Sequence, residues 1–373
     1  MDFFQRQDNA RRRTRWLVAY FFGAIFGIAC TFYVISLPPY FHGNPEEVGS
    51  FWHPELFQVV VSVVLIIVAL GSLSKAIKLR KGGKAIALAM GGRALVAPAT
   101  DPDERELQNI VEEMSIASGV PAPAIYVLDR EPGINAFAAG FRPEDAVIGA
   151  TKGAMQFLTR DELQGVIAHE FSHILNGDMR LNLRLVAWMH GILWIAIAGQ
   201  GLLAGARRCV AWTSRGDEVN KAGLGLFFFG SIVGVIIYGL GSIGVFFGHL
   251  IKSAVARQRE FLADAAAVQF TRNPMGLANA LKKIGGLAHG SRIRSPLAEE
   301  ASHMFFGNGL GSSWFGIFAT HPSLKNRIKL LDPNFDGRFP QVTFPVSLSK
   351  LPPVIAPPLI SSPPVISAGP VVS

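Results

Sequence analysis

Four stretches of this chain are too long and too apolar to be ordinary core helices. Trp16 to Leu37, Phe57 to about Leu73, Leu185 to about Ala206 and Leu224 to Ile251 each approach or exceed the roughly 18 apolar residues that cross a bilayer as a helix. One such stretch can be a buried helix. Four of them, in 373 residues of which half are hydrophobic and 17% charged, read as membrane spans. The mean hydropathy of +0.33 agrees. The fourth stretch carries Gly230, Gly234, Gly244 and Gly248, small residues spaced for close helix packing in lipid. The first is longer than the roughly 7–15 apolar residues of a cleaved signal peptide. "SLPPYF" after it has no small-x-small cleavage site, so it is expected to stay as an anchor.

Orientation follows from lysine and arginine in the short connections. Arg6, Arg11, Arg12, Arg13 and Arg15 precede the first span, and Lys75, Lys78, Arg80, Lys81 and Lys84 follow the second. Between these spans, residues 38–56 hold Glu46, Glu47 and Glu55 and no lysine or arginine. Lys252, Arg257 and Arg259 follow the fourth span. The expected arrangement is a multi-pass protein of the cell inner membrane, with both ends of each hairpin in the cytoplasm. Arg207, Arg208, Arg215 and Lys221, between spans three and four, run against this rule; an ordinary hairpin is still expected there. The net charge of +8 is accounted for by this topology, so no nucleic-acid partner is expected. Cys30 and Cys209 form neither a disulfide framework nor a CxxC metal motif.

The expected organisation is an N-terminal membrane hairpin over 1–80, a first catalytic part over 81–184, a second hairpin over 185–251, a second catalytic part over 252–344, and a tail over 345–373. In the first part, "KAIALAM" reads as a strand, and "AIYVLD" and "AVIGAT" as two more. Asp101-Pro102-Asp103-Glu104 starts a helix that ends at Gly119. Thr159 and Glu162 form a capping box, with Leu158 and Leu163 as the staple. Helices are expected around 253–270 and 275–286. The tail repeats Pro-Pro-apolar motifs and reads as extended or disordered, with a docking role for a partner as the alternative.

The helix capped at Thr159 carries "HEFSH". His169 and His173 are four apart, so both rings leave one helical face and can share a metal ion, and Glu170 can reach a water bound to it. Alone, the pattern also fits an amphipathic helix that carries two histidines. A catalytic zinc needs a third protein ligand, with the fourth position left to water. Glu260 in "ARQREFLADAAA" is the best candidate. Asp264 lies one turn on and can hold a ligand histidine by its other nitrogen. The alternative for that pair is a solvated helix face paired with Arg257 and Arg259. An antiparallel hairpin formed by spans three and four would bring His173 and Glu260 to one membrane face. Arg160, Asp161, Glu162, Gln164, Asn176 and Asp178 around the motif suggest a helix standing in water. His303 reads as a structural histidine near the site, His190 and His249 as polar packing groups, and His42 and His53 as exposed.

Together, "HEFSH", "ARQREFLAD", "INAFAAGF" and "THPSLKNRI" resemble, in order, the motifs of the HtpX-like membrane zinc metallopeptidases, relatives of the CAAX prenyl proteases. "MDFFQRQDNARRRTRWLV" resembles a bacterial branch of that family, and the resemblance covers roughly 1–340. It implies a membrane α+β protein: a mainly helical zincin-type (gluzincin) catalytic domain with a small β-sheet, anchored by about four transmembrane helices. It further implies one zinc ion on His169, His173 and Glu260, Glu170 as base, and Asp264 behind a ligand. Asn135, Ala136 and Phe137 would meet substrate at an edge strand, and His321 and Arg327 would stabilise the oxyanion. The implied activity is endopeptidase cleavage of misfolded or membrane-protein chains at the cytoplasmic face. Intramembrane or prenyl-peptide proteolysis and a non-catalytic membrane scaffold are the alternatives. Polypeptide substrates and the bilayer are the expected partners; a homo-oligomer and a partner for the tail are left open.

Overall fold

In lipid a backbone must satisfy its own hydrogen bonds, so long apolar runs have little choice but to be helical. The computed structural model describes residues 3–44, 51–79, 82–213, 221–287, 305–307, 319 and 321–342. Among them four helices are long and apolar enough to cross a membrane: α1 (Phe3–Gly43), α2 (Pro54–Leu79), α7 (Asp178–Thr213) and α8 (Lys221–Thr271). The apolar stretches within them run over Arg12–Pro38, Pro54–Ile77, Asp178–Arg208 and Phe227–Thr271. The first two helices form one hairpin and α7 with α8 another, and the hairpins pack through α2 on α7 and α1 on α8. Residues 214–220, the Pro-rich tail and His303 lie outside the described residues, as do the side chains of His42 and Cys209.

Gly230, Gly234, Gly244 and Gly248 of the last span all face neighbouring helices. A Cβ on Gly234 would sit 2.9 Å from Leu203, and one on Gly244 2.8 Å from Ile192 and Ile28. Two approaches within the second hairpin are equally tight: an added Cβ on Gly199 would meet the backbone nitrogen of Tyr238 at 2.4 Å, and one on Gly241 that of Ala196 at 2.4 Å. Gly199→Val should therefore push α7 away from α8. The expected cost is about 1–3 kcal/mol, the usual range for overpacking, read as a lower unfolding temperature in detergent. An unchanged temperature would mean that the two helices do not approach so closely.

The last membrane helix differs from expectation in one respect. It does not stop at Ile251 and restart at residue 253; it is a single helix of 51 residues. No glycine or proline interrupts Ile251 to Thr271, and alanine, leucine, arginine and glutamate there favour helix. At 1.5 Å per residue it is about 75 Å long, more than twice the apolar thickness of a bilayer. Its far end therefore enters the catalytic body as part of the same rod.

That body holds a four-stranded sheet in the order β1-β2-β4-β3, from β1 (Arg93–Ala94), β2 (Ala124–Leu128), β3 (Ala136–Ala139) and β4 (Val147–Thr151). The second strand runs parallel to β4, β3 is antiparallel to β4, and β3 forms one edge. "KAIALAM" is not a strand. It is helix α3 (Gly82–Ala89), whose buried Gly83 and Ala87 are four apart, the spacing of one helical face. Its run of alanines favours helix over sheet.

Helix α4 (Pro102–Ser118) starts on an Asp101 cap and ends at Gly119 with φ 71°. Next come α5 (Lys152–Phe157) and α6 (Arg160–Leu175), the latter capped reciprocally by Thr159 and Glu162. The body is completed by α9 (Pro274–Gly286) and α10 (Leu324–Leu331). Helix α6 is buried almost end to end, among the sheet, α4, α8 and α9. Its apolar face (Leu163, Val166, Ile167, Phe171, Ile174) forms the centre of the core.

Two expectations about polar residues need correction. His53 is buried, because its segment folds back onto the end of α1: its backbone N–H donates to the Tyr33 hydroxyl at 2.8 Å, and its ring packs on Tyr40 and Phe41. Of the polar residues around "HEFSH", Arg160 and Asp161 at the start of α6 are exposed as expected, but the others do not mark a helix standing in water. Glu162 is buried and paired with Lys283 at 2.6 Å, and Gln164 donates to Glu113 at 2.9 Å. Asp178 is buried in an ion pair with Arg259. They are internal partners of a packed helix.

Candidate metal centre

The buried helix α6 brings His169, Glu170 and His173 to one place, and α8 brings Glu260 against them. His169 Nε2 lies 3.1 Å from His173 Nε2 and 3.7 Å from a Glu260 oxygen, and His173 Nε2 lies 3.4 Å from the other. For a tetrahedral zinc with ligand bonds near 2.0–2.1 Å, ligand atoms stand roughly 3.3 Å apart. The three donor atoms converge at that spacing, and these residues form a group that can hold a metal ion.

The two imidazoles are held in the orientation that metal binding needs. His169 Nδ1 is 3.0 Å from Asp264 Oδ1, and His173 Nδ1 is 2.9 Å from Asp178 Oδ2. A proton on each Nδ1 donates to a carboxylate, which leaves each Nε2 lone pair for the shared centre. Burial pushes the His169 imidazole below its ordinary pKa. Burial acts on His173 in the same sense, but Asp178 and Glu260 outweigh it and hold that ring well above the ordinary value.

The carboxylates are charge-compensated by buried arginines. Arg327, from α10, has almost no exposed surface. It donates to Asp264 Oδ2 at 2.9 Å and Oδ1 at 2.7 Å, lies 3.1 Å from Glu260 Oε2, and donates to the Phe306 carbonyl at 3.1 Å. Burial alone would weaken its hold on the proton; the carboxylates of Asp264 and Glu260 strengthen it instead. Arg327 thus stands behind the ligands, on the Nδ1 side of His169, with its donors engaged by the protein. His321 stands nearer the open side: its Nδ1 is 3.0 Å from Glu260 Oε2, and it lines the cleft with His173, Ala138 and Phe305.

Glu170 is different. It is 1% exposed, and neither of its oxygens has a hydrogen-bond partner among the described residues. Burial raises its carboxyl to about 8, against the opposing pull of His173. A buried carboxyl without a partner is costly, and this one stands beside three converging metal donors.

The edge of β3 forms one wall. Asn135, fully buried, accepts at its side-chain oxygen from the backbone of Ala136 (3.0 Å) and Gly307 (3.2 Å). The Ala136 carbonyl accepts from Phe306 N–H at 2.9 Å, and Phe137 bridges to Phe305. The stretch 305–307 thus covers the outer edge at Ala136 and Phe137, and Asn135 fastens it there. Ala138, next along, lines the cleft.

Asp178 and Arg259 are site residues that sequence reasoning missed; it gave Asp178 to a wet surface and read Arg259 as a cytoplasmic basic residue after the fourth span. A signal was present. Asn176-Gly177 ends α6, Gly177 takes the left-handed φ of 67°, and the chain turns so that Asp178 starts α7 under His173. Arg259 then clamps Asp178 and donates to the Asn176 carbonyl at 2.9 Å. Asp178→Asn should keep the shape and weaken the grip on His173. Zinc affinity, measured by competition with a chelator, should fall about 10–100-fold. Unchanged affinity would make Asp178 a helix-end residue only.

The sequence profile of peptidase family M48 matches residues 101–334. The chain is 41% identical over 225 residues to the "Protease HtpX homolog" of Caldanaerobacter subterraneus subsp. tengcongensis, covering 60% of this chain and 70% of that one. To the "Protease HtpX homolog" of Ligilactobacillus salivarius it is 34% identical over 281 residues, covering 74% and 85%. Among solved structures it is similar to the crystal structure of S. mikatae Ste24p, with a TM-score of 0.40 and 16% identity, over 87% of this chain and 66% of that one.

Proposed function

This chain belongs to peptidase family M48, and from that premise we propose that it is a zinc endopeptidase cutting misfolded or membrane-protein chains at the cytoplasmic face of its membrane. It is a multi-pass membrane metallopeptidase; the metal, the substrate class and the sidedness are the finer part of this reading. One observation carries the metal: two imidazoles and a carboxylate converge at tetrahedral spacing, with each imidazole fixed by a carboxylate behind it. His169, His173 and Glu260 are the ligands in this reading. A bound zinc supplies an acidified water and polarises the scissile carbonyl.

The chain's own groups do the rest. The charge of a bound metal would favour the carboxylate form of Glu170, which then takes a proton from the attacking water and delivers it to the leaving amine. Its burial keeps that proton from exchanging with bulk water. Asp264 and Asp178 hold the two ligand rings, and Arg327 neutralises Asp264 and Glu260. His321 is the side chain best placed on the open side to donate to the developing oxyanion. Ala138 is the edge-strand residue that pairs with the substrate backbone. Asn135, Ala136 and Phe137 support that edge through the 305–307 stretch. Backbone pairing reads no side chains and suits unfolded substrates of varied sequence.

Metal analysis of the purified chain tests the reading: one zinc per chain, lost in His169→Ala, is expected. Cleavage products of an unfolded membrane protein locate the cut. Cuts in its cytoplasmic segments support the reading, and cuts at the centre of its membrane helices would favour intramembrane proteolysis. Fusing a reporter active only in the cytoplasm after Val342 tests the sidedness, and a silent reporter would reverse it.

A further inference from the structure

A second cavity lies at the same end of the helix bundle. It is an open recess of about 400 Å³, walled by Thr14 and Arg15 of α1, Leu175 and Asn176 at the end of α6, and Arg259 of α8. Among the described residues no acidic side chain lines it. Thr14 is buried, and its hydroxyl has no hydrogen-bond partner among the described residues. Arg259 is already engaged by Asp178, so the charge of Arg15 is not matched by any carboxylate in the wall.

The depth of this cavity is also fixed. The apolar stretch of α1 begins at Arg12, and Trp16 and Tyr20, both largely exposed, follow within two turns. Exposed tryptophan and tyrosine settle at the level of lipid headgroups. A cavity walled by arginine and an unpartnered hydroxyl, at that level and between membrane helices, is chemically matched to a phosphate group.

We infer that this cavity binds the phosphate of an anionic membrane lipid from the leaflet on the metal-centre side. Arg15 pairs with the phosphate charge, and the Thr14 hydroxyl donates to one of its oxygens. Arg259 walls both this cavity and the metal-site cleft, and it holds the aspartate that orients His173. The bound lipid therefore packs against the same guanidinium that braces a metal ligand.

The test uses the full chain, delipidated in neutral detergent and titrated with short-chain phosphatidylglycerol or phosphatidylcholine, with bound lipid counted by native mass spectrometry. Phosphatidylglycerol should bind at least about fivefold tighter, the effect of one cation near a membrane surface. Arg15→Gln should erase that preference, and Arg15→Lys, which keeps the charge, should retain most of it. Thr14→Val should weaken phosphatidylglycerol binding by about threefold to tenfold, the range for one lost hydrogen bond. Arg207→Gln with Arg208→Gln, at the opposite end of α7, should change nothing. Equal binding of the two lipids would overturn the inference, as would an equal loss in the Arg207/Arg208 variant. Displacement of phosphatidylglycerol by millimolar inorganic phosphate would also overturn it, by making this a soluble-anion site.

Discussion

Glu170→Gln is expected to lower peptide cleavage by about 10³-fold, within the range for removing a positioned general base, while zinc stays bound. Glutamine keeps the size of the side chain and fits the same buried space. It cannot take a proton. The backbone donor that acts on the native carboxyl, Ala138 N–H, can be met by the glutamine oxygen, so the change strands nothing and should not destabilise the fold. Stability is expected to hold or rise slightly, because a buried ionisable group is replaced by a neutral amide. The side chains that can hold the metal are three others, so zinc content should remain at the native level. Single-turnover cleavage of an unfolded substrate, with metal analysis of the same sample, checks both halves. Cleavage within tenfold of native would assign the base elsewhere; loss of zinc would place Glu170 among the ligands.

The other large effect is on stability. Arg327→Met removes the buried cation that faces both Asp264 and Glu260. Breaking a buried ion pair by removing one partner costs about 3–5 kcal/mol, against total stabilities of about 5–15 kcal/mol. A metal on Glu260 would compensate that carboxylate in part and leave Asp264 with the His169 ring as its remaining partner, so the loss should be larger without zinc than with it. Arg327→Lys restores the charge without the two-pronged geometry and should recover part of the stability. Thermal unfolding of the three proteins, with and without zinc, separates these cases. If Arg327→Met unfolds at the native temperature and only turnover falls, Arg327 serves the oxyanion and not the ligands.

Much of this site was legible because its signals are local or periodic. A four-residue spacing puts His169 and His173 on one face of any helix, and the Thr159–Glu162 capping box marks where that helix starts. Glu260 is far along the chain, yet the apolar hairpin between it and His173 reveals how the two meet. What stayed hidden depended on burial. Glu162, Asp178 and Arg327 look like surface residues until their partners are known, and the partners come from other elements. "KAIALAM" was ambiguous for the ordinary reason that short apolar runs fit either period; its buried Gly83 and Ala87 decide for helix. The fastening of 305–307 to β3 by Asn135 joins positions 172 apart, and no local pattern announces such a contact.

The continuity of α8 has a consequence for how this protein is made. A ribosome delivers α6, with both histidines and Glu170, before either helix of the second hairpin exists. Glu260 emerges 87 residues after His173, a lag of about 4–17 s at usual elongation rates. Until α8 has been inserted as one piece, Glu260 has nothing to hold it in register with the two histidines. A nascent chain therefore carries an unfinished site, and insertion into the bilayer is the step that makes it a hydrolase. A peptidase is in this way kept harmless while it is itself unfolded.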